Sequence, residues 1–470
     1  MNALKNANSA PIGVRSALYP DASGRADLTR QIRALLAEHG LLTSTELQRL
    51  TGKSQPTVSR ALARLTPEIA TIGKARSVRY ALPRSILGWS GVQPIFLTDA
   101  TGLATEWGRL YFLDGERVHV ASQDGRFGID ATGDLPWFLA PLRPQGFLGR
   151  LRGISLGFAE TNPERWLLEQ VLYALIAHEH DHPGALSIGE QQGELLPEVP
   201  TDLTARAERY DQIAQNVNQT LPAGSSAGGE QPKFIAHLNA ATGYERLIVK
   251  FTPPRSTPFG ARWHDLLHTE HIALDVLRAH SIAAAESRIV TSQTRTYLES
   301  VRFDRIGPFG KRHVVPLSAV HRAWVGGTEQ HWAATTDALA RRGRLPLADA
   351  QQVRVLREFG RLLGNTDMHF GNLSLWVENM DDLRAPRFRL APVYDMLCMH
   401  WRPGVFRDEL GYPPFDTPLP SPGAGDVWPQ AASMASAFWQ ATQDCPDVSA
   451  PIRAVAETQR QRLAQMIAVK

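Results

Sequence analysis

The stretch from Pro222 to Phe251 constrains the fold more than any other. It opens with the small-residue run "PAGSSAGGEQPKF" and passes into two apolar segments, "KFIAHL" and "RLIVKF", separated by a turn at Gly243. Small side chains let backbone N–H groups approach an anion closely, so a phosphate-covering loop is one reading and a plain surface turn the other. The run is not GxxxxGK[ST], and it leads into a strand instead of a helix; neither a Walker loop nor a Rossmann turn fits. Lys250 closes the second strand. A lysine placed there can reach phosphates if a carboxylate holds it. Glu270 is the candidate, in "HDLLHTEHIALDVLRAH", where Leu266, Leu267, Ile272, Leu274 and Leu277 mark a buried helix face. The alternative is a strand-edge lysine and an unrelated surface glutamate.

An acidic half lies farther on. "GNTDMHFGNLSL" holds Asp367, His369 and Asn372 within six residues. Asp and Asn five apart match the spacing of a protein-kinase catalytic loop, in which Asp accepts the substrate hydroxyl proton and Asn binds Mg²⁺. "FRLAPVYDMLCMH" then reads as a buried strand ending in Asp395, with two strands and a turn returning it beside Asn372. Oxygen donors of this kind suit Mg²⁺ better than zinc. One histidine beside two acids reads as a hydrogen-bonded, loop-orienting residue.

Charge divides the chain. Residues 1–84 hold 13 Lys+Arg and 5 Asp+Glu, a net of +8, while the whole chain is +3, which leaves −5 for residues 85–470. That asymmetry suits a small nucleic-acid-binding module on a larger body. In "LTRQIRALLAEHG", Leu28, Ile32, Leu35 and Leu36 have helical spacing up to Gly40; "TSTELQRLTG" carries the capping-box pair Thr43 and Glu46; "SQPTVSRALARL" starts at Ser54 as N-cap and buries Val58, Leu62 and Leu65. The other face of that third helix presents Gln55, Thr57, Ser59, Arg60 and Arg64. A hairpin follows in "IATIGKARSVRYAL", with Lys74, Arg76 and Arg79 near its tip. Three helices and a basic hairpin resemble a winged helix-turn-helix DNA-binding domain. The alternative is a helical interaction domain with a solvated basic face.

The rest sets bounds. Residues 85–150 alternate in short segments around a DG turn and read as a small β-rich unit. A helix follows whose end carries His178, His180 and His182 among acids; alternation ahead of Pro183 reads as a surface helix end, not a metal site. "ELLPEVP" reads as a linker, and Arg402 to Pro429 as a long surface loop. Two cysteines, Cys398 and Cys445, make no disulfide framework and no zinc spacing. Neither a signal-peptide core nor a membrane-spanning run occurs, so a cytoplasmic protein without membrane contact is expected.

In order, "SSAGGEQPKF", "LIVK", "TEHIAL", "SVRFDR", "GNTDMHFGN" and "LAPVYD" resemble the HipA family of serine/threonine protein kinases, toxin components of bacterial persistence systems, over roughly residues 95–400. With its fused N-terminal helices the chain looks most like the YjjJ-like subgroup. The resemblance implies an α+β, protein-kinase-like, two-lobed fold with an N-terminal winged helix-turn-helix: a tail over 1–25, the DNA-binding domain over 26–84, a β-rich subdomain plus helix over 85–200, a nucleotide-binding lobe over 201–306 and a helical lobe over 307–470. It makes Asp367 the catalytic base, with His369 orienting its loop, and Asn372 and Asp395 the Mg²⁺ ligands. Lys250 becomes the phosphate anchor with Glu270 as partner. Ser225, Ser226, Ala227, Gly228 and Gly229 would cover ATP, with Ser225 or Ser226 as an autophosphorylation site. Arg302, Phe303, Asp304 and Arg305 match the family's "RFDR" near the lobe junction, with a buried salt bridge as the alternative. Partners implied are a protein substrate and DNA; a homodimer and a separate antitoxin stay open. "GGEQPKF" departs from the better-known members' loop. A nucleotide-sensing regulator with an inert kinase fold and a small-molecule kinase are the rival readings.

Overall fold

The computed structural model describes residues 22–74, 77–177, 181–190, 196–220, 231–241, 243–403, 411–413 and 415–468. The loop Ser225 to Gly229, Arg76, His178 and His180 lie outside them. The chain divides into two units, Met1–Pro83 and Arg84–Lys470.

In the first unit, α1 (Ala22–His39) begins within the segment expected as a tail and ends at Gly40, whose φ of 82° is the left-handed conformation a helix stop favours. β1 (Leu41–Thr43) leads into α2 (Ser44–Thr51), opened by the capping box: the Glu46 N–H donates to Thr43 Oγ1 at 3.2 Å and the Thr43 N–H to Glu46 Oε2 at 2.7 Å. α3 (Gln55–Leu65) starts after Ser54, but Ser54 does not cap with its side chain as expected. Pro56 in the first turn has no N–H to offer, and the Thr57 N–H goes to the Ser54 carbonyl. β2 (Ala70–Ile72) and β3 (Arg79–Ala81) complete a sheet ordered β1-β3-β2. Leu28, Ile32, Leu36, Leu47, Val58, Leu62 and Leu65 close its core.

The second unit opens with β4 (Val92–Thr98), β5 (Ala104–Leu113), β6 (Arg117–Ser122) and β7 (Gly128–Thr132), then α4 (Gly146–Ser155), α5 (Leu168–Ile176) and β8 (Leu186–Ile188). The five strands form an antiparallel sheet ordered β7-β6-β5-β4-β8. β9 (Glu198–Val199), α6 (Leu203–Thr220), β10 (Lys233–Ala240), β11 (Gly243–Phe251), α7 (Pro258–Ala279), β12 (Ser287–Thr291) and β13 (Thr296–Val301) follow, with the sheet order β12-β13-β11-β10-β9. "ELLPEVP" is therefore not only a linker: Glu198–Val199 pairs parallel to β10 as an edge strand. A short β14 (Arg305–Ile306) and β15 (Gly310–Lys311) precede β16 (Val314–Pro316), α8 (Leu317–Trp324), α9 (Trp332–Arg341), α10 (Leu347–Leu362), β17 (Ser374–Val377), β18 (Phe388–Leu390), α11 (Trp428–Asp444) and α12 (Ala450–Ala468). One continuous core runs from the β4–β8 sheet through α7 and α10 to α11. The expected surface loop from Arg402 contributes to it, since Phe415 packs on Trp401 and Trp439 and Tyr412 on Trp401. Aromatic rings of that size seek burial whatever proline and glycine surround them.

Register positions the site. Phe234 pairs with Val249 and Val249 with Glu299, and these side chains share the sheet face that packs on Tyr210 and Ala214 of α6. On that face Glu299 accepts from Tyr210 Oη at 2.7 Å and Arg206 Nη1 at 3.1 Å. Because strand side chains alternate, the next register, Lys233 with Lys250 and Lys250 with Leu298, lies on the opposite face. That face meets α7.

Candidate active site

Lys250 reaches a carboxylate from each of two distant elements. Its Nζ donates to Glu270 Oε1 and Oε2 at 2.6 and 2.8 Å and also pairs with Asp395 Oδ1. Glu270 is 1% exposed and Lys250 7%. α7 can supply a buried acid here only because an ammonium waits opposite, since an unpaired buried carboxylate is strongly disfavoured. Burial would lower the Lys250 pKa, but the Asp395 and Glu270 charges hold it above its ordinary value. Burial also acts against ionised Asp395, yet the charges of Lys250 and Lys233 and the Lys250 hydrogen bond outweigh it and bring the carboxyl down to about 2. Glu270 is pushed up by burial, with the neighbouring Asp395 charge adding to the effect against the pull of Lys250. Two carboxylates around one ammonium carry a net negative charge when both are ionised, and the fields of Lys233 and His369 act against it at Asp395.

Asp395 is not at a strand end as expected. β18 stops at Leu390, because Pro392 cannot donate to a ladder. The chain continues through Val393, bridged to Ala284, and Asp395 adopts φ 53°, a left-handed conformation that Asp tolerates better than most side chains.

The loop after α10 is tied to this point. Gly364, at φ 72°, turns the chain. Asn365 Oδ1 accepts the Asp367 N–H at 3.0 Å while its amide reaches the Asp395 carbonyl at 3.5 Å. Asn372 is buried, and its Nδ2 donates to the Asp367 carbonyl at 2.9 Å, which leaves Oδ1 as its remaining acceptor. His369 accepts the Gly371 N–H on Nδ1 at 3.0 Å, and its carbonyl accepts from Trp332 Nε1 at 2.9 Å. Tyr394 Oη donates to the Gly371 carbonyl at 2.9 Å. The loop is thus held through its backbone by Asn365, Asn372, His369, Trp332 and Tyr394, and Asp367 is tied to it through its main-chain N–H and carbonyl. Oxygen donors from Asn372 and Asp395 beside an excess of negative charge form a donor set that fits a hard divalent cation.

The "RFDR" segment takes the structural alternative. Arg302 and Arg305 both pair with Asp181 and with Asp304, at 2.9 Å for each Asp304 pair, and Arg246 lies 3.5 Å from Asp181. Asp181 is buried, so the expected surface helix end is corrected: three guanidiniums draw it inward and hold its pKa below the ordinary value against burial. Phe303 packs on Trp376 and Tyr394, at 5.4 and 5.9 Å between ring centres. The Asp181 partnership has no local signal, since Arg302 and Arg305 lie more than a hundred positions away in the chain.

In the first unit, Gln55, Ser59, Arg60 and Arg64 are exposed on α3, Thr57 is half-buried, and Lys74 is exposed beyond β2. Arg79 is the first residue of β3, paired with Ile72 at the end of β2 and with Thr43, so it flanks the hairpin turn near the tip as expected. Lys233 was missed in the sequence; its register opposite Lys250 is the signal that could have found it.

A mixed α/β protein in which buried Lys250 and Glu270 meet half-buried Asp395 beside an Asp/Asn loop is the class that fold and site define. Residues 225–460 match the HipA-like C-terminal domain family, and residues 90–195 match the middle domain of YjjJ-like toxins. The chain is 34% identical to Toxin YjjJ of Escherichia coli (strain K12) over 441 residues, 91% of this chain and 96% of that one. It belongs to the YjjJ-like toxins of the HipA family. Among solved structures, it shares the fold of Shewanella oneidensis MR-1 HipA, determined in a complex with HipB and operator DNA: TM-score 0.51 at 18% identity, covering 79% of this chain and 96% of that one. The Helicobacter pylori proinflammatory kinase CtkA is a more remote neighbour, with a TM-score of 0.33 at 12% identity over 50% of this chain and 91% of its own. Among the described residues, no helix is long and apolar enough to cross a membrane.

Proposed function

We propose that the protein is an ATP- and Mg²⁺-dependent serine/threonine protein kinase of toxin type, acting in the cytoplasm, with its first unit binding DNA. The observation that carries this reading is Lys250 held between Glu270 and Asp395, next to a loop that presents Asp367 and Asn372. A bound Mg²⁺ would neutralise charge on the transferring phosphoryl group. Asn372 and Asp395 are the residues that would hold it. Lys250 binds phosphate oxygens, and Glu270 keeps the ammonium aimed. Asp367 orients the attacking hydroxyl and accepts its proton, so catalysis is mainly positioning and electrostatics. Ser225 to Gly229 cover the nucleotide, with Ser225 or Ser226 as the self-modified hydroxyl. In the first unit, Arg60, Arg64 and their exposed neighbours read a groove while Lys74, Arg76 and Arg79 meet phosphates, an arrangement suited to regulation of the protein's own operator.

The test is transfer of radiolabelled phosphate from ATP into proteins of a cell lysate. Wild-type protein labels a discrete target, and Asp367→Asn does not. Equal labelling by the variant would remove Asp367 from the mechanism; labelling of small molecules alone would make the acceptor something other than protein.

A further inference from the structure

His264, His268 and His271 recur along α7, on the helix that also carries Glu270. His268 is 5% exposed, and its Nε2 is buried without a hydrogen-bond partner. Buried ring nitrogens are ordinarily satisfied, so this one calls for an occupant. Two side chains from the α11–α12 connection face it: half-buried Cys445, the residue just past α11, and exposed Asp447. One ligand atom from each of the three lies within 4.8 Å of the others. Shifts of roughly 1 Å would bring such atoms to the 2.0–2.3 Å bonds typical of zinc. Cys445 and Asp447 are the partners able to move, being on a short connection.

The surroundings are built. His264 Nε2 bonds the Asp447 carbonyl at 2.7 Å and its Nδ1 bonds Thr296 Oγ1 at 2.6 Å. Asp265 accepts the Ser449 N–H at 2.8 Å and the Ser449 hydroxyl at 2.6 Å. The backbone of the connection is therefore held at Asp447 and Ser449, while the Cys445 and Asp447 side chains can still turn toward an ion. Burial lowers the His268 pKa to about 4, so the ring is neutral near pH 7 and ready to act as a ligand.

We infer that His268, Cys445 and Asp447 form a binding site for a zinc-class divalent cation, with water completing a four-coordinate shell. Nitrogen, sulfur and one carboxylate suit Zn²⁺, whereas Mg²⁺ would reject the thiolate. The site lies apart from the Asn372 and Asp395 oxygens in donor chemistry. Bound metal would tie the α11–α12 connection to α7, two residues from Glu270, and so stabilise the helix on which Lys250 depends.

Full-length protein is stripped with chelator, titrated with Zn²⁺, and separately loaded with Co²⁺, whose thiolate charge-transfer band reports sulfur ligation. Wild type is expected to retain one zinc per chain and to show the band. Cys445→Ser should lose the band, and Asp447→Asn should bind zinc at least about tenfold more weakly. Circular dichroism of both variants should match wild type, because neither residue is buried. Failure of wild type to retain zinc, or a thiolate band that persists in Cys445→Ser, overturns the site. Neither outcome bears on phosphoryl transfer, which the lysate assay reads independently.

Discussion

Replacing Lys250 by methionine tests the charge count of the triad. Methionine keeps most of the volume but leaves Glu270, 1% exposed, without its cation. Glu270 must then stay ionised unpaired or take up a proton. The second route limits the penalty at pH 7 to about 4 kcal/mol, from roughly 1.4 kcal/mol per pH unit over the roughly 2.7 units above the ordinary glutamate value. The same reasoning leaves about 1 kcal/mol at pH 5. The sign follows from a raised folded pKa: the variant keeps its stability below the unfolded value near 4 and loses it as pH rises. Glu270→Gln behaves differently, because Lys250 retains Asp395 and the pair is neutral. Its cost should stay below about 2 kcal/mol and change little with pH. Urea unfolding of the Arg84–Lys470 unit, followed by tryptophan fluorescence at pH 5 and 7, measures both. A Lys250→Met penalty that does not grow between pH 5 and 7, or one that at pH 7 is smaller than that of Glu270→Gln, would refute the reasoning.

Other outcomes follow from single contacts. Gly364→Ala should destabilise by about 2–3 kcal/mol and lower phosphoryl transfer, combining the left-handed φ of 72° with a Cβ only 2.8 Å from the Phe415 ring; an unchanged melting temperature would remove Gly364 as the turn that sets the loop. His313 donates from Nε2 to the Phe138 carbonyl at 2.9 Å and accepts the Ala185 N–H on Nδ1 at 3.2 Å, so burial keeps it neutral and lowers its pKa to about 4. Its contribution is complete above the unfolded value near 6.5 and is lost as pH falls toward 4, by about 3 kcal/mol, and His313→Gln should flatten that part of a stability-against-pH curve. Deleting residues 1–84 should abolish salt-sensitive binding to DNA in a gel-shift assay and leave nucleotide binding intact; retained affinity would place the DNA contacts elsewhere.

Local physics made much of this chain readable in advance. The Thr43/Glu46 capping box, the Gly40 helix stop, and the paired strands that carry Lys250 depend on residues a few positions apart, and each formed where its pattern placed it. The Asp367 and Asn372 spacing on which the proposed phosphoryl-transfer roles rest was equally visible, because spacing within a loop is itself a local quantity. Where sequence reading failed, a distant partner was responsible. Asp181 looked like the end of a surface helix until Arg302 and Arg305 drew it into the interior. Asp395 looked like a strand terminus, but Pro392 interrupts the ladder and the chain reaches Lys250 in a left-handed turn. His268 and Cys445 share no spacing that suggests metal, yet α7 and the end of α11 bring them together. Helices and strands are selected by short-range sterics and hydrogen bonds, which sequence patterns encode directly. Which charges become buried, and beside what, is settled only when elements far apart in the chain pack, because a buried charge is tolerated only where the whole fold provides its counterion.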